Sequence, residues 1–169
     1  MIFILTISFC CSVLAEEITV PMYQVTTEGI GQQIGTVLLQ DSKDGLVVET
    51  DLNHLTAGPH GFHIHEYPSC YPQQDKKGIM QAALSAGNHY DPLHKNHHAG
   101  PNGGGHLGDL PYLSVSQAGT NKTRFLMKDI TVHMLKNKSL IIHENGDNYK
   151  DMPLLLGGGG LRIACGIIR

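Results

Sequence analysis

The sequence predicts an all-β fold with long loops, on three observations. Short apolar runs rich in β-branched residues recur along the chain and are bounded by Gly and Asp. Glycine is abundant, with 20 residues in 169, which suits many turns and shaped loops. One long stretch, residues 67–110, is built from Gly, Pro, His and Asn and has no sustained apolar periodicity.

The elements follow in chain order. Residues 1–15 (MIFILTISFCCSVLA) hold no charged side chain. They are too short to span a bilayer as a helix, which takes about 20 residues. They read as a signal-peptide core ending in Val13-Leu14-Ala15, although the usual basic residues near the start are missing. A buried N-terminal strand is the alternative, disfavoured by Glu16-Glu17 directly after. No small residue precedes Cys10 or Cys11 as lipid attachment would require. Strands are expected at 17–26, 34–40, 45–52, 112–117, 123–133, 139–144 and 161–168. Residues 67–110 form a loop far longer than an ordinary connection, so something other than an apolar core must order it. Gly157–Gly160 lacks the Gly-Lys-Ser/Thr of a phosphate loop and reads as a tight turn or a close backbone approach.

Composition bounds the function. The length fits one domain, residues 16–169. Net charge is −3 with histidines neutral, which leaves no basic footprint for nucleic acid. Of four cysteines, Cys10 and Cys11 leave with the signal, so Cys70 and Cys165 remain as an even pair suited to a secreted protein. They form a disulfide or remain two buried thiols. A bridge over a loop of about 95 residues is worth roughly 4–5 kcal/mol in the chain-entropy model.

The 11 histidines carry the chemistry. In Phe62-His63-Ile64-His65, alternate residues of a strand share a face, so His63 and His65 point one way and Phe62 and Ile64 the other. Two imidazoles on a rigid strand suit a copper or a zinc site. His89, His98, His106 and Asp109 lie inside the glycine-rich loop, and three histidines with a carboxylate suit tetrahedral zinc. Gly108 is expected to let the backbone turn so that His106 and Asp109 converge. His143 ends the apolar run Leu140-Ile141-Ile142. Such a lone residue is more often a satisfied core histidine, but a copper site with His63 and His65 is short of ligands.

Six segments then carry a family resemblance: GPHGFHIHE (58–66), NHYDP (88–92), HAGP (98–101), GGHLGDLP (104–111), LIIHENGDN (140–148) and GGGGLRIACGII (157–168). The chain resembles the copper,zinc superoxide dismutases, particularly the bacterial periplasmic type, over residues 17–169. The resemblance implies a Greek-key β-barrel or sandwich of about eight antiparallel strands with long metal-binding loops. It implies copper held by His63, His65, His89 and His143, and zinc held by His89, His98, His106 and Asp109, with His89 shared. It implies that Asp147 links a copper histidine to a zinc histidine, that Arg162 meets the anionic substrate, and that Cys70 pairs with Cys165. His89 and Arg162 are the catalytic residues it implies, superoxide the substrate, and a secreted, periplasmic site of action. Neither nucleic acid nor membrane is an expected partner. A homodimer is left open, because Asn102 stands where many bacterial members place a tryptophan at the subunit contact.

His97 is a rival to His98, which has the following x-Gly-Pro in its favour. His60 is expected to be structural, and His54, His94 and His133 match no family role. Lys76 and Lys77 are candidates for guiding the anion. Three other readings are weaker. A metal-delivery module would be expected to lack His89, Asp109 or Arg162. A zinc hydrolase needs a general base such as the Glu of His-Glu-x-x-His, and Glu66 and Glu144 merely follow ligands. A barrel without metal leaves seven spaced ligands unexplained.

Overall fold

The structure, a computed structural model, describes residues 15–169. The expected signal segment therefore lies, but for Ala15, outside the described residues. Strands β1 (Glu17–Thr26), β2 (Gly29–Ser42) and β3 (Gly45–Leu52) form consecutive hairpins. Each hairpin turns through two residues: Thr26 pairs with Gly29, and Ser42 with Gly45. In the second turn the Ser42 hydroxyl donates to Gly45 O at 2.7 Å. The chain continues through β4 (Gly58–His60), β5 (Phe62–His65), the small hairpin β6 (Gln73–Gln74) and β7 (Met80–Gln81), then β8 (Leu113–Val115) and β9 (Asn121–Met127). A helical turn α1 (Val132–Leu135), β10 (Lys138–His143) and β11 (Arg162–Ile168) complete it.

Seven strands form one antiparallel sheet in the order β5-β10-β11-β1-β2-β3-β9, and β4 pairs with β8. The last strand returns beside the first, β11-β1-β2-β3, which is the Greek-key order. Only Gly61 separates β4 from β5, and β8 reaches β9 through a turn in which Ser116 N donates to Thr120 O at 2.9 Å. The sheet thus curls into a half-barrel. Alternate residues face its interior: Val20 and Met22, Val37 and Leu39, Leu46 and Val48, Phe62 and Ile64, Leu140 and Ile142 are all buried in one cluster.

Two expectations change. The strand expected over 123–133 begins at Asn121 and stops at Met127. Asp129 then takes φ 61°, a left-handed backbone that ends the ladder, and Val132 and Leu135 reach the core from the helical turn instead. The long loop is not structureless, because it holds the β6–β7 hairpin and two short bridges to β5.

Cys70 and Cys165 are disulfide-bonded across 95 residues, with Cα atoms 5.7 Å apart. The bridge sits in a second buried cluster with Val25, Ala83, Ala86 and Ile141, and so fastens the long loop to β11. Replacing both cysteines by serine should lower unfolding stability, with roughly 4–5 kcal/mol as the chain-entropy ceiling. Denaturant unfolding of the doubly substituted protein checks this, and an unchanged midpoint would contradict it.

Candidate metal centre

The site starts from β5. Its register opposite β10 pairs His63 with Ile141 and His65 with Ser139, which puts both imidazoles on the face away from Phe62 and Ile64. All four residues are buried. His143 ends β10 on that same face. Pairing there skips a residue, from Ile142↔Ala164 to His143↔Arg162, so the bulge at Ile163 sets Arg162 beside His143.

The loop then lies along the outer edge of β5. Ile64 N donates to Gly108 O at 2.9 Å, Tyr90 N to Ile64 O at 2.8 Å, Glu66 N to Asn88 O at 3.1 Å and Leu110 N to Phe62 O at 3.3 Å. His89 is thereby bridged to His65, and Asp109 to His63. Gly108 lies in the expected turn, closed by Asp109 N donating to His106 O at 3.3 Å, and it also serves a close approach. A Cβ there would press on Ile64 O and the Tyr90 backbone, and its φ is not positive.

Hydrogen bonding then decides which ring nitrogens stay free. Carbonyl oxygens only accept, so His65 Nδ1 donates to Gly87 O at 2.9 Å, and His143 Nδ1 to Gly160 O at 3.2 Å. The buried Asp147 carboxylate accepts from His63 Nε2 at 2.7 Å and from His98 Nε2 at 2.8 Å. That leaves His65 Nε2, His143 Nε2, His63 Nδ1 and His98 Nδ1 buried without a hydrogen-bond partner. A buried polar atom left without a partner is costly unless something else takes it up. His98 Nδ1 lies 2.8 Å from Asp109 Oδ2 but is not aligned as a hydrogen bond, so both atoms aim past each other. His89 Nδ1 and His106 Nδ1 approach Asp109 Oδ1 at 2.9 Å and 3.3 Å.

Two groups result, each with its ligand atoms within 4.8 Å of one another: His63, His65, His89 and His143, and His63, His89, His98 and Asp109. His63 enters the second group because its ring lies 4.0 Å from that of His89. His106 stands further out, joined through Asp109. His98 is buried while His97 is exposed. His60 is buried between Thr56 O and His143 O, whereas His54, His94 and His133 are exposed and join neither group.

A family model described as "Copper/zinc superoxide dismutase (SODC)" matches residues 33–168. The chain belongs to the copper/zinc superoxide dismutase family. It is 45% identical to the superoxide dismutase [Cu-Zn] of Brucella abortus over 155 residues, 91% of this chain and 89% of that one. A solved Brucella abortus Cu/Zn superoxide dismutase superposes with a TM-score of 0.88 at 44% identity, covering 91% of this chain and all of the other. A solution structure named as the monomeric copper, zinc superoxide dismutase from Salmonella enterica gives 0.80 at 43% identity, over 91% and 100%.

The enzyme converts two superoxide anions and two protons to O₂ and hydrogen peroxide, with copper and zinc as cofactors. The residues fit those metals: the orphaned nitrogens of His63, His65 and His143 are lone pairs in want of a cation, and His98 Nδ1, beside the Asp109 carboxylate, becomes one when a metal displaces its proton. Beside the first group lies a cavity of about 300 Å³, lined by His65, His89, His143, Leu155, Leu156 and Arg162 among others. Arg162 is the one lysine or arginine lining it among the described residues. Its Nη1 donates to Ala83 O and its Nη2 to Gly87 O, both at 2.6 Å. Two of its five N–H groups are so used, and the rest can meet an anion. Burial pushes its pKa down to about 10, so it stays charged at neutral pH. Lys76 and Lys77 are exposed between β6 and β7 and do not line the cavity.

Sequence reasoning missed several supports. Asp151 accepts from His98 N at 3.0 Å. Gly87 O joins Arg162 to His65. The glycine run, expected to be a turn or a close approach, is both: Gly157 has φ +72°, and a Cβ there would strike Asp147 and His98. Glu66 accepts from Asn88 N at 2.9 Å, a loop contact rather than the role of a hydrolytic base.

Burial lowers the pKa of His63, His65 and His143, and holds His89 down to about 3. Burial also opposes the charged form of His98, but Asp109 and Asp147 outweigh it and raise that group to about 9. Metal-stripped protein should therefore be most stable near neutrality. The four depressed histidines contribute stability above the unfolded value near 6.5, and it is lost as the unfolded chain takes up protons below that. His98 alone acts in the opposite sense, its share being lost as pH rises toward 9. The melting temperature of metal-stripped protein should fall from pH 7 to pH 5; a flat or rising profile would contradict the assignment of neutral imidazoles.

Proposed function

We propose that His63, His65 and His143 hold copper through Nδ1, Nε2 and Nε2, and that His89 completes that set through Nε2. Zinc is held by Nδ1 of His89, His98 and His106 and by the Asp109 carboxylate. The observation that carries this reading is the set of four buried ring nitrogens without partners, those of His63, His65 and His143 on the copper side and that of His98 on the zinc side. Each free nitrogen sits on a ring whose other nitrogen is already committed to a carbonyl or to Asp147, the outer support that orients metal-binding histidines.

Bound copper supplies the one-electron couple that oxidises one superoxide and reduces the next, and zinc supplies fixed positive charge. The chain's residues do the rest. Arg162, held by Ala83 O and Gly87 O, presents a fixed cationic fork to the anion at the cavity wall. His89, fixed on its Nδ1 side toward Asp109, holds and passes a proton at Nε2. Asp147 keeps His63 and His98 in one orientation, so the two metal sets move as a unit.

Residues 1–15 act as a signal peptide in this reading, and the enzyme works outside the cytoplasm, in the periplasm. The disulfide supports an oxidising compartment. All seven ligands come from one chain, so the homodimer left open by the resemblance is not required; the Salmonella relative is named as monomeric.

The purified chain should hold one copper and one zinc, by metal analysis. His98→Ala should lose zinc far more readily than His97→Ala, and the reverse order would shift the ligand assignment by one residue. Replacing Arg162 by a neutral residue should leave copper bound, slow turnover and weaken inhibition by small anions. If turnover and anion inhibition are both unchanged, Arg162 is not the substrate contact.

A further inference from the structure

Tyr149 lies outside both metal sets, yet three of its groups touch the structure that holds the zinc set. Its backbone N–H donates to Asp147 Oδ1 at 2.7 Å, the same oxygen that accepts from His98 Nε2. Its ring packs directly on Gly100, where a Cβ would strike Cβ, Cγ and Cδ1 of the tyrosine. Its hydroxyl accepts from Tyr112 N at 3.0 Å. Gly100 is two residues beyond His98, and Tyr112 is three beyond Asp109. One side chain thus touches the segment that carries His98, His106 and Asp109 close to both of its ends.

The backbone supports a special role. Tyr149 has φ 60°, in the left-handed region that costs a bulky residue energy. The residue keeps that conformation while its N–H meets Asp147 and its ring covers Gly100. Gly100 is itself left-handed at φ +68°, and it lacks the side chain that would push the ring away.

We propose that Tyr149 is a positioning residue for zinc: a clasp that holds Asp147 and both ends of the His98–Asp109 segment in register, and so governs zinc retention separately from copper retention. The proposal rests on the zinc assignment above. His63, the copper-side partner of Asp147, is also fixed by its place in β5, whereas His98 and His106 lie on a loop and depend on such external support.

The test uses the metal-loaded enzyme and three variants. Tyr149→Gly suits φ 60° and keeps the N–H to Asp147, so it removes the ring and hydroxyl without adding strain. Chelator-driven zinc release should become faster by about tenfold, the scale of losing an outer support of a metal site. Copper release should stay at the parent rate, and the melting temperature of the metal-stripped variant should stay close to the parent's. With Co(II) in the zinc position, the visible d–d spectrum of Tyr149→Gly should differ from the parent's, reporting an altered ligand geometry. Tyr149→Phe keeps the ring on Gly100 and should restore most of the retention and the parent spectrum. Unchanged zinc release and an unchanged cobalt spectrum in Tyr149→Gly would overturn the clasp. So would faster loss of both metals together with a lower melting temperature, which is the mark of general loosening. His98→Ala run alongside separates the two claims: if it holds zinc like the parent, the ligand assignment falls and the clasp with it.

Discussion

The main-chain ladder between the edge of β5 and the long loop is the interaction on which the rest depends. An open sheet edge must be paired or covered. Here it is covered by Asn88–Tyr90 and Gly108–Leu110, through the bonds of Glu66, Ile64, Gly108 and Leu110. Those bonds set Asp109 beside His63 and His89 beside His65. A stretch with little apolar surface of its own is therefore ordered by backbone hydrogen bonds, by Leu110 in the core and by one disulfide.

That arrangement makes a buried polar centre tolerable. Six imidazoles and two carboxylates meet where water is largely excluded, and burying such groups is costly unless each is paired. The four orphaned rings divide their nitrogens the same way, one toward a carbonyl or Asp147 and one toward a metal position. The tautomers are thus imposed by acceptors that cannot donate. Asp147 adds a mechanical link, since one carboxylate orients one ring from each metal set. The zinc side is the less supported of the two, because His98 and His106 lie on loop backbone while His63, His65 and His143 lie on strands.

Much of this was legible beforehand where a local rule applies. The period of a strand is enough to put His63 and His65 together and to send Phe62 and Ile64 inward. β1 and β3 appear with the expected bounds because their flanking turns carry Gly and Asp. The run 123–133 misled because Ile130 and Val132 look like strand residues, yet they reach the core only after the chain has turned at Asp129. Gly108 sits in the turn expected of it, but what excludes a side chain there, the Ile64 carbonyl and the Tyr90 backbone, is far off in sequence. Asp147 and Arg162 were singled out by resemblance alone, since no spacing connects them to His98 or to Ala83 and Gly87.

The amino-acid string was sufficient for the all-β class, the loop that had to be ordered by something other than a core, and the set of residues able to bind metal. Those follow from side-chain chemistry and from the two-residue repeat of a strand, both of which act over short distances along the chain. Folding alone decided the bulge that sets Arg162 beside His143, the carbonyls that select each tautomer, the choice of His98 over His97 for burial, and the contacts of Tyr149 near both ends of the zinc segment. Each of these joins residues that are far apart in sequence or differ only in which way they face. Their geometry exists only once strand register, sheet curl and loop path have been set together.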